Sequence, residues 1–382
     1  MFELSADQMQ LRSTAREFAV REIVPHVREW DRAEQLDSSL VKKLAQVGFL
    51  GATWSEEFGG SGLDTLSYTL VVEELGKADS SVRGIVSVNV GLVGKTIDRF
   101  GSDAQRREWL PRLASGDALG CFALTEPGCG SDAAALLTRA ARDGDEWVLN
   151  GTKTFITLGS WAAVALVFAR TGGEGARGIT CFLVPTTSKG FSARPINGKL
   201  GLRAQDTAEL AFDDVRVPDE WRLGEIGRGF TVAMSALDTG RISLAAGCVG
   251  IAQGCLEASV AHAKERRAFG RPIGGFQLIQ ELIAQMAVDV DAARLLTWRA
   301  ASVDDAGKNH TLESSVAKLY ASETAVRAAN DAVQIFGGYG FIDEYPVGKY
   351  LRDARVSTLY EGTSQIQKLI IGRALTGENA FN

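Results

Sequence analysis

Asp143-Gly144-Asp145-Glu146-Trp147-Val148-Leu149-Asn150-Gly151 is the stretch that decides the fold. Turn-forming residues stand on both sides of a short apolar run, the pattern of a strand between hairpin turns. Phe122-Ala123-Leu124, Val164 to Ala169 and Ile179 to Val184 are further short apolar runs in the same region. Residues 119–226 therefore predict an all-β middle domain, which a glycine-rich link from Gly224 to Gly229 brings to a close.

On either side of that segment the apolar period is helical. Ser5-Ala6-Asp7-Gln8 and Ser102-Asp103-Ala104-Gln105 are capping boxes, each followed by apolar residues at helical spacing. Glu56 to Gly62 reads as a loop. Beyond 227, Leu278/Ile279, Leu282/Ile283, Met286 and Val290 form one apolar stripe. Long helices with short links predict a bundle. The fold expected is α+β and multidomain: helices over 1–118, sheet over 119–226, and a helical bundle over 227–382.

A chain of 382 residues is long for a single core, and 45% apolar residues can fill more than one. The net charge of −6 and a pI near 5.4 disfavour nucleic acid as a partner. The longest apolar run, Trp161 to Ala169, is too short to span a membrane. Met1-Phe2-Glu3-Leu4-Ser5 lacks the basic start and apolar core of a signal peptide, which predicts a cytoplasmic location. Cysteines 121, 129, 181, 248 and 255 show no CxxC spacing, and histidines 26, 262 and 310 form no HExxH. No metal site and no disulfide framework is expected. Neither the Rossmann nor the P-loop glycine pattern is present.

One segment hints at chemistry: Leu359-Tyr360-Glu361-Gly362-Thr363-Ser364-Gln365-Ile366-Gln367. Ser364 and Gln367 have capping-box spacing, so a helix is expected to start there with Glu361 just outside it. Burial would raise the carboxyl pKa and the helix dipole would lower it, a setting that suits a general base. A solvated acid that favours the helix start fits the same spacing, and the spacing alone leaves both readings open.

Five motifs together carry a resemblance. They are Phe122-Ala123-Leu124-Thr125-Glu126-Pro127-Gly128-Cys129-Gly130-Ser131-Asp132, Lys153-Thr154-Phe155-Ile156-Thr157, Arg266-Arg267-Ala268-Phe269-Gly270, Gln334-Ile335-Phe336-Gly337-Gly338-Tyr339-Gly340 and Tyr360-Glu361-Gly362-Thr363-Ser364-Gln365. In order and spacing, from about residue 5 to 375, the chain resembles the acyl-CoA dehydrogenases. Leu237 to Arg241 and Ala292 to Ala300 look closest to the short-chain subgroup. The resemblance implies an N-terminal helical domain, a middle β-barrel and a C-terminal four-helix bundle, with non-covalent FAD and a homotetramer. It further implies α,β-dehydrogenation of an acyl-CoA thioester, with electron-transfer flavoprotein reoxidising the flavin.

The same resemblance implies roles for residues. Glu361 would be the base that removes the Cα proton. Its backbone N–H and a ribityl hydroxyl of the flavin would hold the thioester oxygen. Phe122, Leu124, Thr125, Gly130, Phe155, Ile156 and Thr157 would contact the flavin side of the cofactor, and Ser131 would reach its pyrophosphate or the CoA arm. Arg266, Phe269, Phe276, Gln277, Gln334, Ile335 and Gly338 would contact the adenosine and diphosphate side, reaching a neighbouring subunit's FAD. Thr363, Ser364 and Gln365 would complete the cofactor set. Ser131, Asp238, Gly240, Arg241 and Gly362 would contact substrate. Some branched-chain members carry the base at the position of Gly240, and here the alternative carboxylate, Glu361, is present. The sequence departs from the common pattern at Phe155 (often Trp), Leu158 (often Asn), Cys129 (Ala or Asn) and Gln205 (Ser). Oxidation of a short branched acyl-CoA, or of an acyl group on a carrier protein in biosynthesis, is the second reading. A nucleic-acid-binding relative is a third, opposed by the acidic charge and the intact Glu361.

Overall fold

A computed structural model describes residues 3–380, so Met1 and Phe2 of the N-terminal stretch considered above lie outside it. Seven helices come first: α1 (Ala6–Glu22), α2 (Val27–Ala33), α3 (Ser39–Gln46), α4 (Thr65–Ala78), α5 (Ser80–Val86), α6 (Lys95–Phe100) and α7 (Asp103–Ala114). The two capping boxes predicted for this helical segment form, with Ser5 and Gln8 exchanging bonds of 3.0 and 3.1 Å. Ser102 and Gln105 do the same at the head of α7. Between α5 and α6 the residues Ser87–Gly94 coil as a π-helix, a rare geometry that recurs at functional sites.

The middle segment is one eight-stranded sheet. Its strands are β1 (Gly120–Ala123), β2 (Arg139–Asp143), β3 (Glu146–Thr157), β4 (Val164–Arg170), β5 (Ile179–Pro185), β6 (Phe191–Pro195), β7 (Thr207–Pro218) and β8 (Arg222–Leu223). Hydrogen bonding runs β6-β7-β3-β2-β4-β5-β8, with β1 added parallel to β4. Asp143-Gly144-Asp145-Glu146 makes the expected hairpin between β2 and β3, with Gly144 at φ 63°. Asn150-Gly151 does not make a hairpin; it lies inside β3. The ladder to β7 shifts register there, and Asn150 and Asp214 bond across it. Pairing along a twelve-residue strand outweighs the local turn preference, and the glycine is absorbed as a bulge.

The chain returns to helices with α8 (Gly229–Glu265), a short hairpin of β9 (Arg267–Ala268) and β10 (Arg271–Pro272), then α9 (Gln277–Asp305), α10 (Thr311–Phe336), α11 (Val347–Ser357) and α12 (Ser364–Thr376). α8, α9 and α10 pack on one another and α12 lies against α10. Ala317, Ala321, Ala325, Ala328, Ala329 and Ala332 are all buried on α10, and small side chains at this spacing let the axes approach closely. α8 is long and apolar enough to cross a bilayer, yet 67% of its most apolar stretch is buried within the protein, as in a core helix. Of the predicted stripe on α9, Met286 and Val290 are buried, whereas Leu278 is 78% exposed. One apolar cluster joins the N-terminal helices to the sheet, and a second fills the C-terminal helices. The N-terminal half of α8 runs between the sheet and α4, and the main cavity opens beside it.

Candidate active site

Glu361 sits where the chain turns from α11 into α12. Glu361 has φ 54° and Gly362 φ 90°, two consecutive left-handed residues. Such backbone is costly for a residue with a side chain and persists only where the surroundings hold it. They do so here. Arg241 Nε donates to the Glu361 carbonyl at 3.2 Å, and Gln367 Nε2 donates to the same oxygen at 3.1 Å. Lys318 Nζ donates to the Gly362 carbonyl at 2.8 Å, joined by Gln367 at 3.0 Å. The helix cap is one residue earlier than the sequence predicts. Thr363 accepts from the Ile366 N–H, while the Ser364 hydroxyl turns away and donates to Glu323 at 2.6 Å. Once Glu361 and Gly362 are fixed in the left-handed region, Thr363 is the residue with extended, capping geometry.

The Glu361 carboxylate is closed off from solvent at Oε2, which has no hydrogen-bond partner among the described residues. Burial raises its pKa; the charges of Arg83, Lys318 and Arg241 pull in the other direction and do not cancel it. Its backbone N–H has no acceptor among the described residues either. A buried carboxylate without donors is a strong base, because taking a proton removes a charge from a poorly solvating place.

The carboxylate opens into a cavity of about 590 Å³. Phe122, Leu124, Thr125, Gly130, Ser131, Phe155, Ile156, Thr157, Arg241 and Gly362 all line it, so ten sequence-predicted positions converge with Glu361. The 122–131 loop is held from beneath by a buried ion pair: Lys153 Nζ lies 2.8 Å from Glu126 and donates to the Leu124 carbonyl at 3.0 Å. Glu126 also accepts from the N–H groups of Leu137 and Thr138. Phe155 has φ 59° and is 69% exposed, an aromatic ring held out into the cavity by strained backbone. Gln205 Nε2 donates to the Thr157 hydroxyl at 3.3 Å and its amide packs against Gly84 of α5.

Other predicted positions fall elsewhere. Arg266, Phe269, Phe276, Ile335 and Gly338 gather in a second groove, at the junction of the β9–β10 hairpin, α9 and the end of α10. Phe269 has φ 50° and is 97% exposed there, and Arg266 lies 5.2 Å over the Tyr339 ring. Gln277 and Gln334 are exposed near this groove but do not line it. Gln365 is exposed on α12. Asp238 does not line the main cavity; it binds Arg241 at 2.7 Å and accepts from Thr311. Gly240 stands directly beside the Glu361 carboxylate: a Cβ there would come 2.4 Å from Oε2. The sequence reading missed Arg83 and Lys318, which lie on two helices far apart in the chain and share no motif; Gln367, read as a capping residue, instead holds the carbonyls of residues 361 and 362.

All five cysteines are buried with free thiols. His26 stacks on Trp30, His262 on Phe336, and His310 lies 3.2 Å from Asp304.

Helical, sheet and helical segments thus enclose a cavity lined by residues from three of the five motifs, the arrangement that the resemblance to the acyl-CoA dehydrogenases implies. Family comparison agrees: the acyl-CoA dehydrogenase N-terminal domain matches residues 5–117, the middle domain 121–215 and the C-terminal domain 227–376. The chain belongs to the acyl-CoA dehydrogenase family. It is 46% identical over 370 residues to the mitochondrial short-chain specific acyl-CoA dehydrogenase of Mus musculus, covering 97% of this chain and 90% of that one. Butyryl-CoA dehydrogenase from Megasphaera elsdenii superposes with a TM-score of 0.96 at 41% identity, covering 98% and 99% of the two chains. A glutaryl-CoA dehydrogenase from Mycobacterium smegmatis in complex with FADH2 superposes with a TM-score of 0.95 at 38% identity, covering 99% and 97%. The protein is thus a flavoprotein oxidoreductase that dehydrogenates acyl-CoA, and FAD is its cofactor.

Proposed function

We propose that the chain performs α,β-dehydrogenation of a short-chain acyl-CoA with Glu361 as the base. One observation carries this: a carboxylate oxygen, Glu361 Oε2, buried and unpartnered among the described residues, in a cavity whose walls include the 122–131 loop and Phe155–Thr157. The donor set fits a flavin. Thr125, Ser131 and Thr157 offer hydroxyls, Phe155 offers a ring face, and Gly130 leaves open space where a Cβ would stand. FAD, when bound, supplies the acceptor for the Cβ hydride.

The protein's own part is proton removal and charge stabilisation. Cα–H is weakly acidic, so a base must stand beside it and a donor must meet the charge that grows on the thioester oxygen. Glu361 supplies both from one residue, its carboxylate and its free N–H. Arg241, Gln367 and Lys318 grip the carbonyls of residues 361 and 362, which fixes the backbone on the C-terminal side of the Glu361 Cα, and so the base of its side chain, before substrate arrives. Groups preorganised in this way cost little to reorient during reaction. Burial that raises the Glu361 pKa favours the neutral acid formed when the proton is taken.

We also propose that the second groove meets the cofactor of a neighbouring copy in a homotetramer. Its support is an arginine and an exposed phenylalanine presented on a strained hairpin with no carboxylate lining the groove. Electron-transfer flavoprotein is the proposed oxidant of the reduced flavin. The test is anaerobic bleaching of the flavin by saturated C4 to C16 and branched acyl-CoAs. Fastest bleaching at the short end supports the reading, and no bleaching by any thioester removes it.

A further inference from the structure

Arg83 is the buried charge to which this mechanism assigns no task. It stands on α5, 3% exposed, and lines the same cavity as Glu361. Nη2 donates to the Tyr360 hydroxyl at 2.9 Å, Nη1 reaches Ser87 Oγ at 3.4 Å, and Nε has no partner.

The other buried cations are provided for. Arg241 has Asp238, Lys153 has Glu126, and Lys349 has Asp79 and Asp353. Lys318 has no carboxylate within ion-pair distance, but burial brings its pKa down to about 8, so it can shed its charge cheaply. An arginine cannot. A guanidinium buried without an ion-pair partner is expensive to keep, and Arg83 makes no ion pair among the described residues, the Glu361 carboxylate acting on it only from beyond ion-pair distance. Room has been made for it: a Cβ on Gly247 of α8 would come 2.7 Å from Arg83 Nε.

Its surroundings are hydroxylic. Ser87 Oγ lies 2.7 Å from Ser243 Oγ, which lies 3.2 Å from the buried Tyr68 hydroxyl. Ser87 and Tyr360 line the cavity with Arg83, next to apolar Val88 and Leu92, while Ser243 and Tyr68 stand behind them. The methyl end of a plain alkyl chain gains nothing from such a cluster. A carboxylate would accept from the guanidinium and from Ser87 together, by charge-assisted bonds.

We infer that the preferred substrate is an acyl-CoA whose short acyl chain ends in a carboxylate, held by Arg83 and Ser87; this rests on the dehydrogenase reading above. The reaction is unchanged. The Cα–H and Cβ–H bonds break, the C=C bond forms, the proton goes to Glu361, the hydride goes to FAD, and the distal carboxylate is retained. A second consequence follows from charge. Arg83 is the foremost of the cations that lower the Glu361 pKa. A bound carboxylate neutralises that field, so the base gains strength only when the matching substrate is in place.

The test uses holoenzyme and anaerobic flavin reduction, with glutaryl-CoA and adipyl-CoA against butyryl-CoA and hexanoyl-CoA. Wild type is expected to favour a carboxylate-terminated thioester in kcat/KM by on the order of 10–100-fold, as for a charged hydrogen bond. Arg83→Met should lose that preference or reverse it, mainly through KM, and Arg83→Lys should restore part of it. Flavin content shows that each variant is folded, and the wild-type preference decides even if neither is. Faster reduction of wild type by butyryl-CoA than by either diacid thioester overturns this inference and leaves the dehydrogenase reading standing. An equal loss on all four substrates in Arg83→Met also overturns it, since Arg83 would then act only through Glu361. No reduction by any thioester overturns both.

Discussion

The two cavities differ in what each contains. The main one has its own carboxylate, its own buried cations and walls drawn from α5, the sheet, α8 and the start of α12. The groove at the β9–β10 hairpin has an arginine lying over an aromatic ring, a phenylalanine almost wholly in solvent, and no carboxylate. In the proposed function the chemistry lies inside a single chain and the second surface waits on another copy. Exposed rings on strained backbone are poor surface and good contacts, which is the ground for proposing that a neighbouring copy completes the groove.

If the main cavity holds the chemistry, the largest effect belongs to Glu361. Glu361→Gln should keep FAD and lower the rate of flavin reduction by substrate roughly 10²–10⁴-fold, the usual contribution of a general base. A variant that reduces its flavin as fast as wild type would move the chemistry elsewhere. Because burial raises the wild-type pKa, the wild-type rate should climb as pH rises through that raised value. Stability runs the other way. A group whose folded pKa is raised contributes stability at low pH and loses it as pH rises through the folded value. Glu361→Gln should therefore melt higher than wild type at pH 8 and converge with it in acid.

Next in size is the relocated base. A Cβ on Gly240 would meet Glu361 Oε2 at 2.4 Å and Leu92 Cδ2 at 2.6 Å, both ends of side chains. Removing the first obstacle with Glu361→Gly leaves only Leu92 to shift. Glu361→Gly alone should be nearly inactive, and adding Gly240→Glu should recover part of the rate. A displacement of about 1 Å can cost roughly 10²-fold, so the double variant should stay well below wild type. No gain over the single variant on any thioester, at normal FAD content, would show that a carboxylate on α8 cannot reach the reacting carbon.

The second groove is broken by Arg266→Ala. Removing a charged donor to a phosphate costs about 1.5–3 kcal/mol, so flavin retention should weaken roughly tenfold or more. Subunit association should weaken with it, because one arginine would serve both. Flavin content and mass by light scattering decide the matter. Unchanged values for both would make Arg266 a solvated charge at the end of α8.

Much of this was legible before the structure because it is local. Capping boxes at Ser5 and Ser102, the Gly144 hairpin and the helical stripe on α9 each rest on residues a few positions apart. Asn150-Gly151 failed because pairing with a distant strand overrode a local preference. The Ser364 cap failed because the strain at Glu361 and Gly362 is set by Arg241 and Lys318, which approach from other helices. Arg83 left no trace in the sequence at all. A lone arginine after Ser80-Ser81-Val82 reads as a surface charge, and only the fold turns it into a buried cation facing a carboxylate.

The smallest effect tests how rigidly the main cavity is built. Gln205 joins its two halves, donating to Thr157 on β3 while its amide oxygen occupies the space that a side chain at Gly84 would fill. Gly84 admits no other residue while that glutamine stands there, since a Cβ would fall 1.8 Å from the amide oxygen. Gln205→Ser is too short to keep the Thr157 bond. A neutral hydrogen bond contributes about 0.5–1.5 kcal/mol, so a change of roughly 2–10-fold is expected. It should fall on the rate of flavin reduction and on the visible spectrum of the flavin, because the Thr157 hydroxyl would turn freely in the cavity. It should leave subunit mass untouched, since nothing near Gln205 belongs to the second groove. A spectrum and rate equal to wild type would show that Thr157 is held by its strand alone. A loss of assembly instead would mean that the two regions are coupled, and that the contrast between a finished cavity and an unfinished one does not hold.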